Sequence, residues 1–283
     1  CPLVLAPAMD VGMWSHEATQ RNVDVLRARG VHVAGPARGR MASGLEGDGR
    51  LLEPEEIFGH VRLVLGRDGP LAGMGVLVTA GPTREYLDPV RFISNPSSGR
   101  QGFALAQAAL DRGAQVTLVS GPVALEAPVG AALIEVKTVG EMLDAVVEHS
   151  GHADVLLMAA AVGDYQAADV AKEKIKKGAR DLTVRLGRTE DIVGAVVGQR
   201  RVSGSPRVLV GFAAETENVL SNARAKLEAK DLDLLVANDV TEEGAGFGVA
   251  TNRVAILDRL GAAEQLPLMS KAAVSEAVLE RVV

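Results

Sequence analysis

Residues 77–102 read LVTAGPTREYLDPVRFISNPSSGRQG, and this stretch restricts the fold more than any other part of the chain. The apolar run 76–79 predicts a strand, which Ala80, Gly81 and Pro82 stop. A long polar loop follows, carrying Arg84, Asp88, Arg91 and Asn95. It closes on Ser97, Ser98 and Gly99. Phe103, Leu105, Ala106, Ala109 and Leu110 then recur at helical spacing as far as Gly113. Residues 116–120 read as the next strand. The helix in this strand–loop–helix–strand unit begins among small and hydroxyl residues. Free backbone N–H groups and the helix dipole make such an end an anion site. Arg84 and Arg91 could grip phosphate or carboxylate bidentately. A strand-to-helix loop of this length is often functional.

The rest of the chain repeats the alternation. Strands are expected at 76–80, 115–120, 132–136, 154–158, 207–211, 233–237 and 253–258. Helices are expected at 100–112, 139–149, 189–199, 216–230 and 270–282. Strands alternating with helices predict an α/β fold with a doubly wound, mostly parallel sheet. Before Gly66 there is a strand at 2–6, a helix at 17–29, a strand at 31–34, a Gly-rich loop at 35–49 and a helix at 54–65. That is too little to bury a parallel sheet alone, so 1–66 reads as the C-terminal part of one domain and 67–283 as another. The first residue is not Met, and a preceding segment is expected to be missing.

Hydrophobic residues make up 47% of the chain, enough for a substantial core, and few are aromatic, which suits the Val, Leu and Ala core of parallel sheets. A net charge of −6 argues against nucleic-acid and membrane partners. The longest apolar run, 155–162, is too short to span a bilayer. The single cysteine, Cys1, rules out an intrachain disulfide and fits a cytoplasmic setting. The five histidines are scattered, and His149 and His152 have no thiolate nearby, so zinc chemistry is unsupported.

Three further segments carry candidate chemistry. At 158–177 an apolar strand ends in Met158, Ala159 and Ala160, followed by Gly163 and Asp164. Small residues let a flat ring approach the backbone, and strand C-termini are where open α/β sheets bind ligands. Asp164 is a candidate holder of a divalent metal that carries phosphate oxygens, with Lys174, Lys176 and Lys177 as phosphate partners. The plainer reading makes Asp164 a turn residue and the lysines a solvated face. Phe212 follows the next strand and either stacks on a base or fills core. Lys226 and Lys230 share one helical face, as exposed lysines or as a pair awaiting an anion. Asn238 lies at a further strand end. The glycines at 244–248 lack dinucleotide spacing.

Taken in order, TAGPTRE with DPVRFISNPSSG, AAVGDY with EKIKK, GFAAET, the helix bearing Lys226 and Lys230, and AND at 237–239 resemble one known family. It is the phosphopantothenate–cysteine ligase domain of bifunctional bacterial coenzyme A biosynthesis flavoproteins, whose partner activity is phosphopantothenoylcysteine decarboxylase. The resemblance covers essentially the whole chain and implies a Rossmann-like sheet. It also implies CTP-dependent joining of 4′-phosphopantothenate to L-cysteine through an acyl-cytidylate, with Mg²⁺. Met158, Ala159, Ala160, Asp164, Glu190, Asp191, Ile192, Val193 and Phe212 would hold the nucleotide, with Lys174, Lys226 and Lys230 facing it. Asn95 and Lys174 would be catalytic, Asp164 would hold the metal, and Ser97, Ser98, Gly99 and Arg91 would join Asn95 at the substrate. A homodimer through the ligase domain is implied, with larger homo-oligomers and FMN in the full-length parent. The chain has Gly163 where Ala or Ser is usual, and Thr189-Glu190-Asp191 where Asn-Pro-Asp is usual.

The segment 7–14 resembles the substrate-recognition motif of the flavin decarboxylase domain, and 39–50 its substrate flap. Asp10 replaces the usual Asn, whose place next to a substrate carboxylate a negative charge does not suit. Ser43 replaces the acid cysteine. The flavin-binding half with its catalytic histidine is expected before residue 1, so this chain is not expected to decarboxylate. A nicotinamide reductase on a similar sheet is disfavoured, since no G-x-G-x-x-G follows the strand at 76–79. A nucleotide-sensing module would bind CTP without turnover.

Overall fold

The computed structural model describes residues 1–177, 181–242, 244–246 and 248–282. The chain divides into two compact units, one of Cys1–Ala72 with Leu110–Gly113, the other of Gly73–Ala109 with Ala114–Val283.

In the first unit β1 (Val4–Leu5) leads to α1 (Val11–Trp14), whose N-cap Asp10 accepts from the Gly12 N–H at 3.2 Å. Next come α2 (Glu17–Ala28) and β2 (His32–Val33), which pairs parallel with β1. The stretch expected as a Gly-rich loop is instead an antiparallel hairpin of β3 (Ala37–Arg40) and β4 (Glu46–Arg50). Its strands carry glycines and charges rather than an apolar face, which hid their period. Then α3 (Pro54–Gly66) starts with a capping box between Glu53 and Glu56 and Pro54 in its first turn, where the absent N–H costs nothing.

The second unit opens with β5 (Gly75–Ala80). The long loop after it contains a hairpin, β6 (Arg84–Tyr86) and β7 (Phe92–Ser94), before α4 (Arg100–Leu110). Then follow β8 (Gln115–Ser120), β9 (Ala132–Glu135) and α5 (Val139–Ser150), with a Thr138–Glu141 capping box. After β10 (Val155–Met158), a second hairpin of β11 (Tyr165–Ala167) and β12 (Leu186–Arg188) precedes α6 (Ile192–Ser203). The chain continues through β13 (Val208–Glu215), α7 (Val219–Ala229) and β14 (Leu234–Asp239). It ends with β15 (Thr251–Asn252), β16 (Val254–Asp258), β17 (Ala263–Gln265), β18 (Met269–Ser270) and α8 (Lys271–Glu280).

The main sheet has eight strands in the order β17-β16-β14-β13-β10-β5-β8-β9. From β14 to β9 every neighbouring pair is parallel, while β16 and β17 add on antiparallel. Read in chain order, the parallel part is the doubly wound order 3-2-1-4-5-6. The α/β, Rossmann-like, mostly parallel sheet is therefore present. Leu77, Leu156, Leu209 and Leu235 pack with Met142, Val146, Val196 and Leu227, so α5, α6 and α7 cover one face. Alternation turns Val78, Leu157 and Val210 to the other face. Buried Leu105, Ala106, Val274 and Val278 mark the inner sides of α4 and α8, which the Gln101–Ser275 hydrogen bond joins at 2.9 Å. The third strand pair of the sheet runs further than its sequence pattern predicts: β13 extends through Phe212 to Glu215, paired with β14 as far as Asp239, because small residues there still pair although they bury little.

The β6–β7 hairpin clamps a distant segment. Asp88, shut off from solvent, accepts from the N–H groups of Val90 at 2.8 Å, Arg91 at 2.8 Å and Ile175 at 3.1 Å. Arg91 pairs with Asp88 at 3.5 Å and donates to the Ile175 carbonyl at 2.8 Å. Both backbone groups of Ile175 are thus held, and the Ala171 N–H reaches the Leu87 carbonyl at 3.0 Å. Burial raises the pKa of Asp88, but the three N–H donors and the Arg91 charge outweigh it and hold the group below its ordinary value.

Two stability predictions follow from these contacts. A Cβ on Gly102 would lie 2.5 Å from Ala80 Cβ and 2.9 Å from Ala80 Cα, so Gly102→Ala should cost about 1–3 kcal/mol in urea unfolding, and an unchanged midpoint would refute this helix–strand approach. Because the folded pKa of Asp88 is lowered, its contribution is present above the ordinary carboxylate pKa and is lost as pH falls through the folded value. The urea midpoint should therefore drop less between pH 7 and pH 3 in Asp88→Asn than in the unsubstituted protein; an equal drop would remove Asp88 from the acid limb.

Candidate functional site

Chain order reverses between β5 and β10, and crevices at such switch points are where open α/β sheets take ligands. Here the two strands stay laced together beyond the sheet. The buried Thr79 hydroxyl accepts from the Ala160 N–H at 3.1 Å, and the buried Thr83 hydroxyl from the Gly163 N–H at 2.9 Å. The Ala161 N–H donates to the Gly81 carbonyl at 2.9 Å. Asn95, returning from the β6–β7 hairpin, donates its amide to the carbonyls of Ala161 at 3.3 Å and Val162 at 3.1 Å. Ser97 then accepts from the Gly99 N–H at 3.3 Å, tightening the turn into α4.

A cavity of about 410 Å³ opens over these strand ends. Asn95, Ser97, Ser98 and Gly99 form one side, and Met158, Ala159, Ala160 and Asp164 the floor. Phe212, Lys226, Lys230, Asp191 and Val193 complete it. An adjoining cavity of about 530 Å³ shares Met158, Asp164, Asp191, Val193 and Lys230, and adds Glu190 and Ile192. Residues scattered over more than a hundred positions of sequence therefore meet at one edge of the sheet. Phe212 is a residue within β13, not one that follows it. Asn238 also lines the first of these cavities and donates to the Ala245 carbonyl at 3.1 Å.

The lysines of α7 have carboxylate partners. Lys230 bonds Asp191, and Lys226 lies 3.7 Å from Glu215. Asp191 also caps α6, accepting from the Gly194 N–H at 3.1 Å. Burial raises its pKa, but the Lys230 bond and the N–H groups of Gly194 and Val193 prevail and lower it. The two lysines thus do not confront each other unpaired, as their spacing alone allowed.

Five expected residues lie outside both cavities. Lys174 is exposed on the segment that Asp88 and Arg91 clamp, and Lys176 and Lys177 are exposed beside it. Arg91 is engaged with Asp88 and Ile175. Arg84 stacks over the Phe92 ring, 4.7 Å from its centre. Both guanidinium groups thus have partners within the chain.

Sequence reasoning missed four charged or amide residues of the first cavity: Arg100, Gln101, Asn252 and Lys271. Lys271 is only 8% exposed, and burial, then the Arg100 charge, lower its pKa. The available signal was a cation at the first position of a helix, the wrong end of the dipole. Asp164 is an exposed, single carboxylate, and among the described residues no group of three or more His, Cys, Asp or Glu could enclose a metal.

The two departures from the family pattern touch each other. Thr189 donates its hydroxyl to the Gly163 carbonyl at 2.6 Å and its N–H to the Asp164 carbonyl at 3.1 Å. In the first unit, hydrogen bonds from the Ser43 side chain and the Gly12 N–H lower the pKa of Asp10. No helix among the described residues is long and apolar enough to cross a membrane.

Residues 71–283 match the family described as DNA/pantothenate metabolism flavoprotein C-terminal domain, and residues 1–65 match that described as Flavoprotein. A protein named cysteine/cysteine sulfinic acid decarboxylase, from an unknown prokaryotic organism, is 43% identical over 287 residues, spanning 100% of this chain and 79% of its own length. The coenzyme A biosynthesis bifunctional protein CoaBC of Bacillus subtilis (strain 168) is 44% identical over 284 residues, 99% of this chain and 69% of its own. Among solved structures, the C-terminal domain of a coenzyme A biosynthesis bifunctional protein CoaBC is 38% identical with a TM-score of 0.63, covering 75% of this chain and 95% of that one. With this match over most of its length, the chain belongs to the DNA/pantothenate metabolism flavoprotein family, together with the bifunctional coenzyme A biosynthesis proteins.

Proposed function

We propose that residues 67–283 act in coenzyme A biosynthesis as a phosphopantothenate–cysteine ligase. The observation that carries this reading is the cavity at the switch point, where Asn95, the small-residue end of β10, Phe212 and the α7 lysines converge. Names among the relatives include both coenzyme A biosynthesis and a decarboxylation, so family membership alone does not choose the reaction. The residues favour ligation: Asp10 places a carboxylate, and Ser43 a weak acid, where the decarboxylase motifs carry an amide and a thiol.

In the proposed reaction a carboxylate oxygen of 4′-phosphopantothenate attacks the α-phosphorus of CTP. The bond to the β-phosphate breaks and pyrophosphate leaves. The amine of L-cysteine then attacks the acyl carbon of the acyl-cytidylate; a C–N bond forms, the acyl C–O bond breaks, CMP leaves and the amine proton goes to solvent. The electrostatic demand is to neutralise a triphosphate and its leaving group. Ala159 and Ala160 leave room for the nucleotide against the backbone, and Phe212 offers a face for the base. Glu190, Asp191, Ile192 and Val193 border it, with Asp191 fixing the start of α6. Lys226 and Lys230 turn from Glu215 and Asp191 toward phosphate. Lys174 supplies charge from its clamped segment. Asn95, held by two carbonyls, orients the activated carboxyl group beside Ser97, Ser98 and Gly99, and Arg91 supports the substrate through the clamp.

An exposed carboxylate at Asp164, in no group of three or more possible ligands among the described residues, fits Mg²⁺, which keeps water and phosphate oxygens as most of its ligands, and does not fit a caged structural metal. When bound with the triphosphate, Mg²⁺ would supply neutralising charge. A homodimer through the ligase unit is proposed. FMN, phosphopantothenoylcysteine decarboxylation and a larger homo-oligomer are proposed only for a protein carrying a whole flavoprotein domain.

Pyrophosphate should appear only when CTP and 4′-phosphopantothenate are both present; none from folded protein would refute the ligase reading. Lys174→Ala should stay folded by circular dichroism and lose roughly 10²–10³-fold in kcat, the scale for removing one charge-stabilising donor. Full activity would take Lys174 out of the mechanism. Chelation with EDTA should abolish release and excess Mg²⁺ restore it, and indifference to EDTA would exclude the role given to Asp164.

A further inference from the structure

The cavity over the strand ends has a second cationic wall, remote in sequence from α7 and formed by the first residues of two helices. Arg100 opens α4 and Lys271 opens α8, each at the positive end of its helix dipole. Lys271 is built into place. It follows the β15–β18 ladder, in which Asn252 pairs with Met269. Its N–H donates to the Ala250 carbonyl at 3.0 Å, and its ammonium to the Val249 carbonyl at 2.8 Å. An ammonium has three donors, and neither Lys271 nor Arg100 has a carboxylate partner among the described residues. Burial and the neighbouring Arg100 charge both lower the Lys271 pKa, so the wall carries two like charges that an anion would relieve.

The same wall holds two acceptors without donors. Gln101 Oε1 and Asn252 Oδ1 are buried and have no hydrogen-bond partner among the described residues, and Asn252 is only 6% exposed. The Gln101 amide cannot be turned round. Its nitrogen donates to the Lys271 carbonyl at 3.3 Å and to the Ser275 hydroxyl at 2.9 Å, while that hydroxyl spends its own proton on the Lys271 carbonyl at 2.8 Å. The oxygen is therefore the end left over.

A ligand for this wall needs an anionic end for the cations and N–H donors for the amide oxygens. A triphosphate satisfies the first and opposes the second, since it brings only acceptors. An α-amino acid carries both ends on adjacent atoms. We infer that this wall binds the amino-acid co-substrate, with Lys271 and Arg100 taking its carboxylate and the Gln101 and Asn252 oxygens taking its amine. The inference rests on the ligase reading and assigns the two walls of one cavity to different substrates: nucleotide toward Lys226 and Lys230, amino acid toward Lys271.

The test compares L-cysteine with cysteamine, which has the amine and thiol but no carboxylate, as acceptors in the presence of CTP and 4′-phosphopantothenate. Lys271→Met should lower kcat/KM for cysteine at least tenfold and for cysteamine far less, collapsing the preference for cysteine. Lys271→Arg should retain most of that preference. Exposed Arg100 can be replaced without disturbing the core, and Arg100→Gln should shift the preference the same way by a smaller factor. Equal losses with both amines in Lys271→Met and Arg100→Gln, or a rise confined to the KM for CTP, would overturn the assignment. If the unsubstituted protein releases no pyrophosphate from CTP and 4′-phosphopantothenate, the ligase reading itself fails, a result distinct from any effect at Lys271.

Discussion

The lacing of β5 to β10 beyond the sheet is the constraint on which the rest of the site depends. Parallel strands usually diverge after their last ladder bond, and the crevice between them widens. Here the Thr79 and Thr83 hydroxyls, both wholly buried, carry the pairing onward to Ala160 and Gly163. A buried N–H left without a partner costs roughly 1–3 kcal/mol, so each threonine holds the opposing backbone firmly. The laced segment presents the Ala161 and Val162 carbonyls to Asn95, and so fixes where the hairpin loop returns. Substitution of either threonine by valine would keep the shape and remove the acceptor, which is why position and chemistry cannot be separated at this edge.

Electrostatics on the α7 side has the opposite character. The Lys230 and Asp191 side chains are 36% and 52% exposed, and pairs so open to water contribute about 0–1 kcal/mol. Such a bond keeps the lysine close without committing it, and under the proposed function a polyanion would replace the carboxylate. Asp191 is not released idle by the exchange, because it remains the cap of α6. On the α8 side Lys271 bonds the Val249 carbonyl and, among the described residues, neither it nor Arg100 has a carboxylate partner, so the two sides of the cavity differ in how their cations are balanced.

How much of this was legible in the sequence depends on what each residue does to its neighbours. The parallel strands were read because Val, Leu and Ala runs between glycines have no other stable use, and their ends placed Met158, Asp164 and Phe212 together. The hairpins within 84–94 and 165–188 were missed because their strands are three residues long and half exposed, too short for a period to register. The bond of Arg91 to Ile175 was not legible, since nothing local distinguishes an arginine that holds a backbone carbonyl from one that meets an anion. Lys271 carries no local signal of burial because a lysine after Ser270 looks like an ordinary exposed helix start; only the fold buries it and gives its ammonium to the Val249 carbonyl.

The absent dinucleotide fingerprint has a structural counterpart. In that motif one glycine makes the turn out of the strand, a second lets the backbone approach the ligand, and a third allows helix and strand to pack closely. Here Gly81 makes the turn, at φ +73°, where a Cβ would lie 2.8 Å from the Gly121 carbonyl oxygen. Gly99, at φ +76°, stands at the cavity before α4, and Gly102 packs on Ala80. Gly99 and Gly102 keep the spacing of the second and third glycines, while the β6–β7 hairpin is inserted after the first. The turn, the close helix–strand packing and the spacing survive, and the contiguous pattern does not. The insertion brings Asn95 to the mouth of the crevice and ties it to Ala161 and Val162, so an amide occupies the place from which an uninterrupted loop would offer only backbone. A sheet of dinucleotide-binding order thereby acquires a polar side chain at the edge of its crevice, and the loop length that first marked this segment is the means by which it does so.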